Sequence, residues 1–449
     1  MDSVESIPAA APARTASNSA LYKVVVSSTI GNIVEWYDFF IFASASLLAF
    51  DKVFYPNMTP LVGTMVALTT YAVGFIARPL GGLICGQWAD RKGRKSVLVL
   101  TLLVSGFATF AVGLLPGYAT IGIWGAVALV VVRILHGFSM GGEQANAILI
   151  ACEHAPAERR GFFGAWIQLG APLGYVIPLG LFALLTSVMS NEAFLSWGWR
   201  VPFLLAGLLI GLGLYIRLRI TESPAFLAAR ERKSVLRTPL RDVIRLNGRE
   251  LALGTGMRLG EGATFTAGTV LIVAYAVNHG VPKPIMTECV LIALLLEAVM
   301  LPVQGMLSDR FGRRTMYGFG GLVSLVAVPL AFYGAMIGDV RLLVLGLMLL
   351  LGFGHAAMYG TQPAYLSELF PVERRASGMA FVQTMGSLIG TAPALLAGWL
   401  LNIGNGTPWY LVAYLLFTVF ATLFSVRYLP ETAPRYQARA PRPSFAAAP

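Results

Sequence analysis

The stretch "GQWADRKGRK" at residues 86–95 returns as "GMLSDRFGRR" at residues 305–314, 219 residues further along the chain. A second stretch repeats at nearly the same distance, because "EHAPAERR" at 153–160 returns as "ELFPVERR" at 368–375, 215 residues later. Two matches at almost one offset indicate an internal duplication. The chain is therefore predicted to consist of two related halves.

The composition is that of a membrane protein. Hydrophobic residues make up 56% of the 449 residues and charged residues only 12%, against roughly 25% charged residues in a soluble domain. Apolar runs of about 20 residues recur from end to end, each long enough to cross a bilayer. These runs are apolar all round, unlike the helices of a soluble core. We expect an all-α polytopic protein embedded in a lipid bilayer.

Twelve such runs are predicted to be transmembrane helices, and they are named spans 1 to 12 in chain order. The predicted limits are 24–49, 60–84, 96–115, 122–151, 162–187, 200–219, 250–278, 285–306, 315–337, 341–367, 376–401 and 408–429.

Basic residues concentrate in alternate connections, after spans 2, 4, 6, 8 and 10, and the opposite connections have almost none. Because connections rich in Lys and Arg stay in the cytoplasm, both termini are predicted to be cytoplasmic. An even number of spans requires the same. This distribution accounts for the net charge of +11 without a nucleic acid partner.

The chain divides into five predicted parts. Residues 21–220 and 249–430 form two six-helix bundles, joined by a polar cytoplasmic linker at 221–248. Residues 1–20 lack the basic start and apolar core of a signal peptide and are predicted to be a disordered tail. Residues 431–449 form a cytoplasmic C-terminal tail.

No metal or other cofactor is predicted. Cys85, Cys152 and Cys289 are far apart and lack the spacing of a metal site or a disulfide framework. A nucleotide-binding loop of the type G-x-x-x-x-G-K-[ST] is also absent from the sequence. Nucleotide hydrolysis is therefore not an expected energy source.

The repeated motif resembles the signature between spans 2 and 3 of the major facilitator superfamily. Three further stretches, "GNIVEWYDF" (31–39), "RILHGFSMGGE" (133–143) and "FLSWGWRVPF" (194–203), together resemble its metabolite:proton symporter family. In the second stretch, His136 stands where the family usually has Gln. The motif positions are Gly86, Asp90, Arg91, Gly93, Arg94 and Lys95, and, in the second copy, Gly305, Asp309, Arg310, Gly312, Arg313 and Arg314.

The resemblance implies a major facilitator fold with 12 transmembrane helices in two pseudo-symmetric six-helix bundles. It implies a monomeric transporter of a bacterial inner membrane, without enzymatic activity, that takes up a small organic anion together with H+. The expected substrate is shikimate or a related mono-, di- or tricarboxylate. Uptake of a zwitterionic osmolyte such as proline or betaine is the alternative, and drug/proton antiport is a weaker one, suggested by "GAPLG" at 170–174.

Three charged residues are predicted to couple transport to protons. Glu35 and Asp38 lie three residues apart in span 1 and share one helical face. A charge in the middle of a span is costly, so such residues face the interior, form pairs or line water. One acid is expected to carry the proton, with Arg133 of span 4 as its partner. The alternatives are solvated acids near a helix end and a structural ion pair.

The predicted substrate-binding residues lie in both halves. Arg133, His136 and Glu143 form a stripe on span 4, and Arg258 and Glu261 lie three residues apart on span 7. Arg258 either faces substrate or pairs with Glu261. The remaining candidates are Gln168 and Gln383, at equivalent positions of the repeat, where packing is the alternative role.

The repeated motif is expected to act as a conformational latch. Its aspartates would bind neighbouring helix ends or arginines and so bias the two states of alternating access. The alternative is that its basic residues only set the membrane orientation. The residues assigned to the latch are Asp90, Arg91, Arg94, Asp309, Arg310 and Arg313.

One pattern points to a different class of protein. "GFSMG" at 137–141 fits the G-x-S-x-G pattern of serine hydrolases, with His136 adjacent. The pattern lies inside a glycine-rich span, where small residues allow close helix packing. An intramembrane serine hydrolase is therefore a remote alternative.

Overall fold

The computed structural model of the protein describes residues 18–58, 60–218, 222–232, 239–390 and 392–437. Within these ranges the chain is helical and contains no strand, and a helix occupies each predicted span. The predicted N-terminal tail lies outside the described residues up to residue 17, and the C-terminal tail from residue 438 onward.

The first bundle contains spans 1 to 6. Span 1 is Asn18–Ala45 continued by Ser46–Phe50 and Asp51–Phe54, and the next spans are Pro60–Lys92, Arg94–Leu114, Ile123–His154, Arg160–Ile167 with Gly170–Val188, and Val201–Leu218. The short connecting helices are Tyr118–Ile121, Ala157–Arg159, Asn191–Ser196 and Gly198–Arg200.

The second bundle contains spans 7 to 12. Span 7 is Gly248–Thr266 continued by Ala267–Leu271 and Ile272–Asn278, followed by Lys283–Phe311, Arg313–Ile337, Val340–Leu347 with Met348–His355 and Ala356–Leu369, Arg375–Gly390 with Ala392–Ile403, and Trp409–Tyr428. Shorter helices are Pro224–Glu231 and Pro239–Leu246 in the predicted linker, Val372–Arg374, and Pro434–Gln437 after span 12.

Length and apolarity support a membrane location for most of these helices. Among the described residues, nine helices are long and apolar enough to cross a membrane, and the bent pair Leu21–Ala45 and Leu48–Phe54 makes a tenth. The other two positions hold the 33-residue helix Pro60–Lys92 and the pair Arg375–Gly390 and Ala392–Ile403. The protein is thus a multi-pass α-helical membrane protein.

Spans 2 and 8 extend beyond their predicted ends, at 84 and 306. Each helix continues through the motif aspartate and ends at a glycine, Gly93 or Gly312, with φ of 104° and 99°. An L-residue with a side chain rarely adopts this conformation, so glycine is required there. The motif is therefore a helix end followed by a sharp turn, and the end where Asp90 and Asp309 lie is named the motif side.

The hydrophobic core is shared between the two bundles on the motif side. One buried cluster contains Ala89 and Ile148 from the first bundle together with Tyr365, Met379 and Ala380 from the second. The two halves are thus packed together at this end of the molecule.

Glycines bring spans 2 and 4 into backbone contact. A Cβ atom on Gly137 would collide with the carbonyl of Gly74, and one on Gly141 with the carbonyl of Arg78. Ser139, between these glycines, donates its hydroxyl hydrogen to the carbonyl of Thr101 in span 3. The "GFSMG" stretch is therefore a helix-packing segment, and its serine is held by the backbone of a neighbouring span.

We expect Gly137→Ala to lower the thermal stability of the purified protein, because its new methyl group would meet a backbone carbonyl that cannot rotate away. Overpacking of this kind costs about 1–3 kcal/mol. Gly180→Ala is the matched control, because nothing lies within 4 Å of its added Cβ. Alanine there should leave the melting temperature unchanged or raise it, since alanine favours the helix by roughly 0.5–1 kcal/mol. Equal melting temperatures for the two variants would contradict the packing argument.

Candidate transport site

The two motif aspartates each bind the beginning of a helix in the opposite bundle. Asp90 accepts hydrogen bonds from the backbone N–H groups of residues 376–377 at 3.0 and 2.8 Å, at the start of span 11. Asp309 accepts the equivalent bonds from residues 161–162 at 2.8 and 2.9 Å, at the start of span 5. A carboxylate at this place satisfies otherwise unpaired amides and the positive end of the helix dipole.

Arg94 contacts Asp90 and also reaches residues of both bundles. Its guanidinium lies 3.5 Å from Asp90 and 3.5 Å from Glu153, and it donates to the carbonyl of Val372 at 3.1 Å. Glu153 also pairs with Arg375 of the opposite bundle at 3.1 Å.

The second copy repeats this arrangement. Arg313 lies 2.6 Å from Asp309 and 3.2 Å from Glu368. Glu368 in turn lies 3.9 Å from Arg160 of the first bundle. Ion pairs thus cross between the halves twice on the motif side.

Two glutamates outside the predicted latch complete the pattern. Glu222 accepts backbone hydrogen bonds from residues 94–95, at the start of span 3. Glu431 accepts them from residues 313–314 at 2.8 and 3.0 Å, at the start of span 9. We did not predict either residue, although "ESPAF" at 222–226 and "ETAPR" at 431–435 form a third similar pair in the sequence.

The other two predicted latch residues are exposed. Arg91 and Arg310 have exposed side chains at the ends of spans 2 and 8. Their position fits the alternative role, a positive charge beside the membrane.

Asp38, Arg133 and His136 line one cavity inside the first bundle, together with Thr109 of span 3. The cavity has about 190 Å³ of empty volume. Arg133 contacts Nδ1 of His136 at 3.1 Å and lies against the rings of Phe39 and Phe42, 4.9 and 4.6 Å from their centroids.

Glu35 lies outside this cavity. Its side chain is buried, and both carboxylate oxygens lack a hydrogen-bond donor among the described residues. The charged groups that act on it include Asp38, Arg78, Glu143 and Arg217. Glu143, predicted to bind substrate, instead forms an ion pair with Arg217 of span 6.

A second, larger cavity lies between the two bundles. Its polar lining comes from Arg78 and Gln144 of the first bundle and Gln383, Thr384 and Ser387 of the second. The empty volume is about 420 Å³, and none of the described residues that line it is acidic. The side-chain oxygen and nitrogen of Gln383 make no hydrogen bond within the described part of the chain.

Arg258 reaches the edge of this cavity from span 7. It donates to the hydroxyl of Ser387 at 2.8 Å, to the amide oxygen of Gln362, and pairs with Glu261 at 3.4 Å. The predicted pairing with Glu261 is present, and the same guanidinium also contacts Ser387, a side chain that lines the cavity. Contact of Arg258 with substrate stays a prediction.

Gln168 does not face either cavity. Its amide donates to the carbonyl of Tyr359 at 3.2 Å, across the interface between the bundles. Its equivalent in the repeat, Gln383, is the one that lines the cavity. The duplication therefore placed two equivalent glutamines in different surroundings.

Several lining residues were missed at the level of sequence. Arg78 could have been found, because it is a charge inside an apolar span. Ser387 lies one turn after Gln383 and shares its helical face. Gln144 and Thr384 carry no comparable signal in the sequence. Arg217, the partner of Glu143, was also missed, because its position resembles that of an ordinary charge at the end of a span.

Two family models together match residues 24–448 of the chain. The family "Sugar (and other) transporter" matches residues 24–252, and "Major Facilitator Superfamily" matches residues 251–448. The chain belongs to the major facilitator superfamily. Because the matching families and relatives are transporters, this protein is a membrane transporter and not an enzyme, which excludes the hydrolase alternative.

Similar proteins agree with this assignment. The inner membrane metabolite transport protein YhjE of Escherichia coli (strain K12) is 37% identical over 413 residues, covering 90% of this chain and 93% of that protein. The shikimate transporter of the same organism is 33% identical over 384 residues, covering 84% and 86%. The structure of the proton:xylose symporter XylE bound to 6-bromo-6-deoxy-D-glucose has a TM-score of 0.76 at 18% identity, covering 93% and 97%, and confirms the fold.

Asp309→Asn is expected to favour separation of the two bundles on the motif side. In asparagine an NH2 group, which cannot accept a hydrogen bond, replaces one of the two oxygens that accept backbone hydrogen bonds. Hydrogen bonds to charged groups contribute about 1.5–3 kcal/mol each, so the population of the open state should rise at least roughly tenfold. Spin labels at the exposed positions Glu158 and Thr315 would report the separation of the bundles. Arg310→Gln is the control, and an unchanged distance distribution in Asp309→Asn would refute a latch role.

Proposed function

We propose that this transporter takes up a small organic acid, shikimate or a related carboxylate, together with protons. The motif side is proposed to face the cytoplasm of a bacterium, with the protein in the inner membrane. The observation that carries the proposal is the charge of the cavity between the bundles.

That cavity offers groups suited to a hydroxylated anion. Arg78 brings a positive charge, and a planar guanidinium matches a carboxylate. The amides of Gln144 and Gln383 and the hydroxyl groups of Thr384 and Ser387 can exchange hydrogen bonds with substrate hydroxyl groups. An acidic lining would instead have favoured a cation.

The cavity around Asp38 supports the proton-coupling part of the proposal. Burial opposes the charged form of a carboxylate, and a nearby guanidinium favours that form. Arg133 supplies the second influence in the same cavity, so a change in water access would shift the balance. Asp38 can then bind a proton from one side of the membrane and release it to the other. The matched shikimate transporter and the proton:xylose symporter make this class of function the natural comparison.

The substrate is tested by thermal-shift measurements on the purified protein with shikimate, succinate, citrate and glycine betaine as probes. We expect a carboxylate to stabilise the protein, since a ligand that binds only the folded state raises its stability. Arg78→Gln should weaken that binding at least tenfold, about 1.4 kcal/mol, and Arg341→Gln, with its exposed side chain, should not. Stabilisation by glycine betaine alone would favour the osmolyte alternative.

Proton coupling is tested with Asp38→Asn in proteoliposomes. We expect this variant to exchange labelled substrate across the membrane but to lose accumulation driven by a pH gradient, because the carboxamide cannot carry the proton. Glu192→Gln, at an exposed position, is the control and should accumulate normally. Undiminished accumulation by Asp38→Asn would remove Asp38 from the proton pathway.

A further inference from the structure

The second bundle contains a buried histidine held between two glutamates. Nδ1 of His355 lies 2.7 Å from Oε1 of Glu297, and Nε2 lies 3.3 Å from Oε1 of Glu261. All three residues are at most 3% exposed. None of them lines the cavity of Asp38.

The contacts require one more proton than a neutral histidine supplies. A neutral imidazole has one N–H group and one bare nitrogen, whereas an ionised carboxylate only accepts hydrogen bonds. With a neutral ring and two ionised glutamates, one of the two contacts would bring a nitrogen lone pair against a carboxylate oxygen. A doubly protonated ring donates to both glutamates.

The charges of the surroundings agree with this proton count. Arg258 is 3.4 Å from Glu261 and contributes one positive charge, against two negative charges from the glutamates. A positive His355 makes the buried group neutral, and unbalanced buried charge is costly. In the described part of the chain, His355 is the hydrogen-bonding partner of Glu297, whose other oxygen has none.

The site also adjoins the interface between the bundles. Tyr359 stacks on the His355 ring with centroids 4.9 Å apart, and its hydroxyl accepts a hydrogen bond from Gln144 of the first bundle at 3.2 Å. Separation of the bundles would break this contact and change the surroundings of the histidine. The charged or titratable groups around the site are Glu297 from span 8, Glu261 and Arg258 from span 7, Tyr317 from span 9, Tyr359 from span 10 and Glu35 from span 1.

We propose that Glu261, His355 and Glu297 form a second proton-binding site, separate from Asp38, with the proton held as the imidazolium of His355. As a transport site it rests on the proposed proton-coupled function, and it raises the number of protons that can accompany each substrate to two. A monoanion moving with two protons carries one net positive charge.

The proton is detected by nuclear magnetic resonance on the full-length protein in nanodiscs, with isotope-labelled imidazole nitrogens. The chain has four histidines, and His355→Gln assigns the signal. We expect a doubly protonated His355 ring at neutral pH in the absence of substrate. Glu297→Gln should convert it to the neutral form, while Glu288→Gln, an exposed position on the same span, should not. A neutral ring in the unaltered protein overturns the proposal, as does an imidazolium that persists in Glu297→Gln.

Transport supplies a second measurement, with labelled shikimate as the probe. Uptake into proteoliposomes should increase with a negative interior potential, and His355→Gln should lose this voltage dependence, whereas His279→Gln should retain it. Voltage dependence unchanged in a folded His355→Gln protein argues against a transported proton at this site. If shikimate is not transported, the proposed substrate fails, and the resonance measurement still decides the protonation of His355.

Discussion

A helix that begins at an interface must find acceptors for its first backbone N–H groups, and in this transporter the opposite bundle provides them. Asp90 and Asp309 cap spans 11 and 5, and the caps are related by the internal repeat. Because the acceptors belong to the other half, the halves cannot separate on the motif side without exposing four N–H groups and two carboxylates. Separation would thus exchange these protein hydrogen bonds for bonds with water.

The glycines of the motif follow from the same constraint. A Cβ atom on Gly86 or Gly305 would collide with the helix of the opposite bundle, so the aspartates reach their targets only if these positions lack side chains. Gly93 and Gly312 end the helices with positive φ. The turn lets Arg94 and Arg313 fold back toward the preceding aspartates. The spacing of the motif thus follows from one geometry, in which a close crossing of two helices is followed by a charged helix cap.

The sequence predicted the fold well, because apolar length and repetition can be recognised without knowing which spans pack together. It predicted the partners of charged residues less well, because partners are chosen by packing between distant spans. Glu143 illustrates this point, since its place on the Arg133 stripe suggested substrate binding and the structure pairs it with Arg217. The sequence also could not show whether the predicted charged residues of the two halves share one cavity. The structure separates Asp38 and Arg133 from the cavity that Arg258 approaches.

A proposed proton site in each bundle has an energetic consequence. A single proton entering with a monoanion moves no net charge, so membrane voltage contributes nothing to accumulation. With the proposed second proton at His355, each cycle would move one positive charge, and voltage would contribute about 2.3 kcal/mol per 100 mV. That energy corresponds to roughly a 50-fold higher accumulation ratio, because every 1.4 kcal/mol is a factor of ten. In the proposed scheme, one proton site in each bundle lets both components of the proton gradient drive uptake, while the substrate binds in the cavity between the bundles.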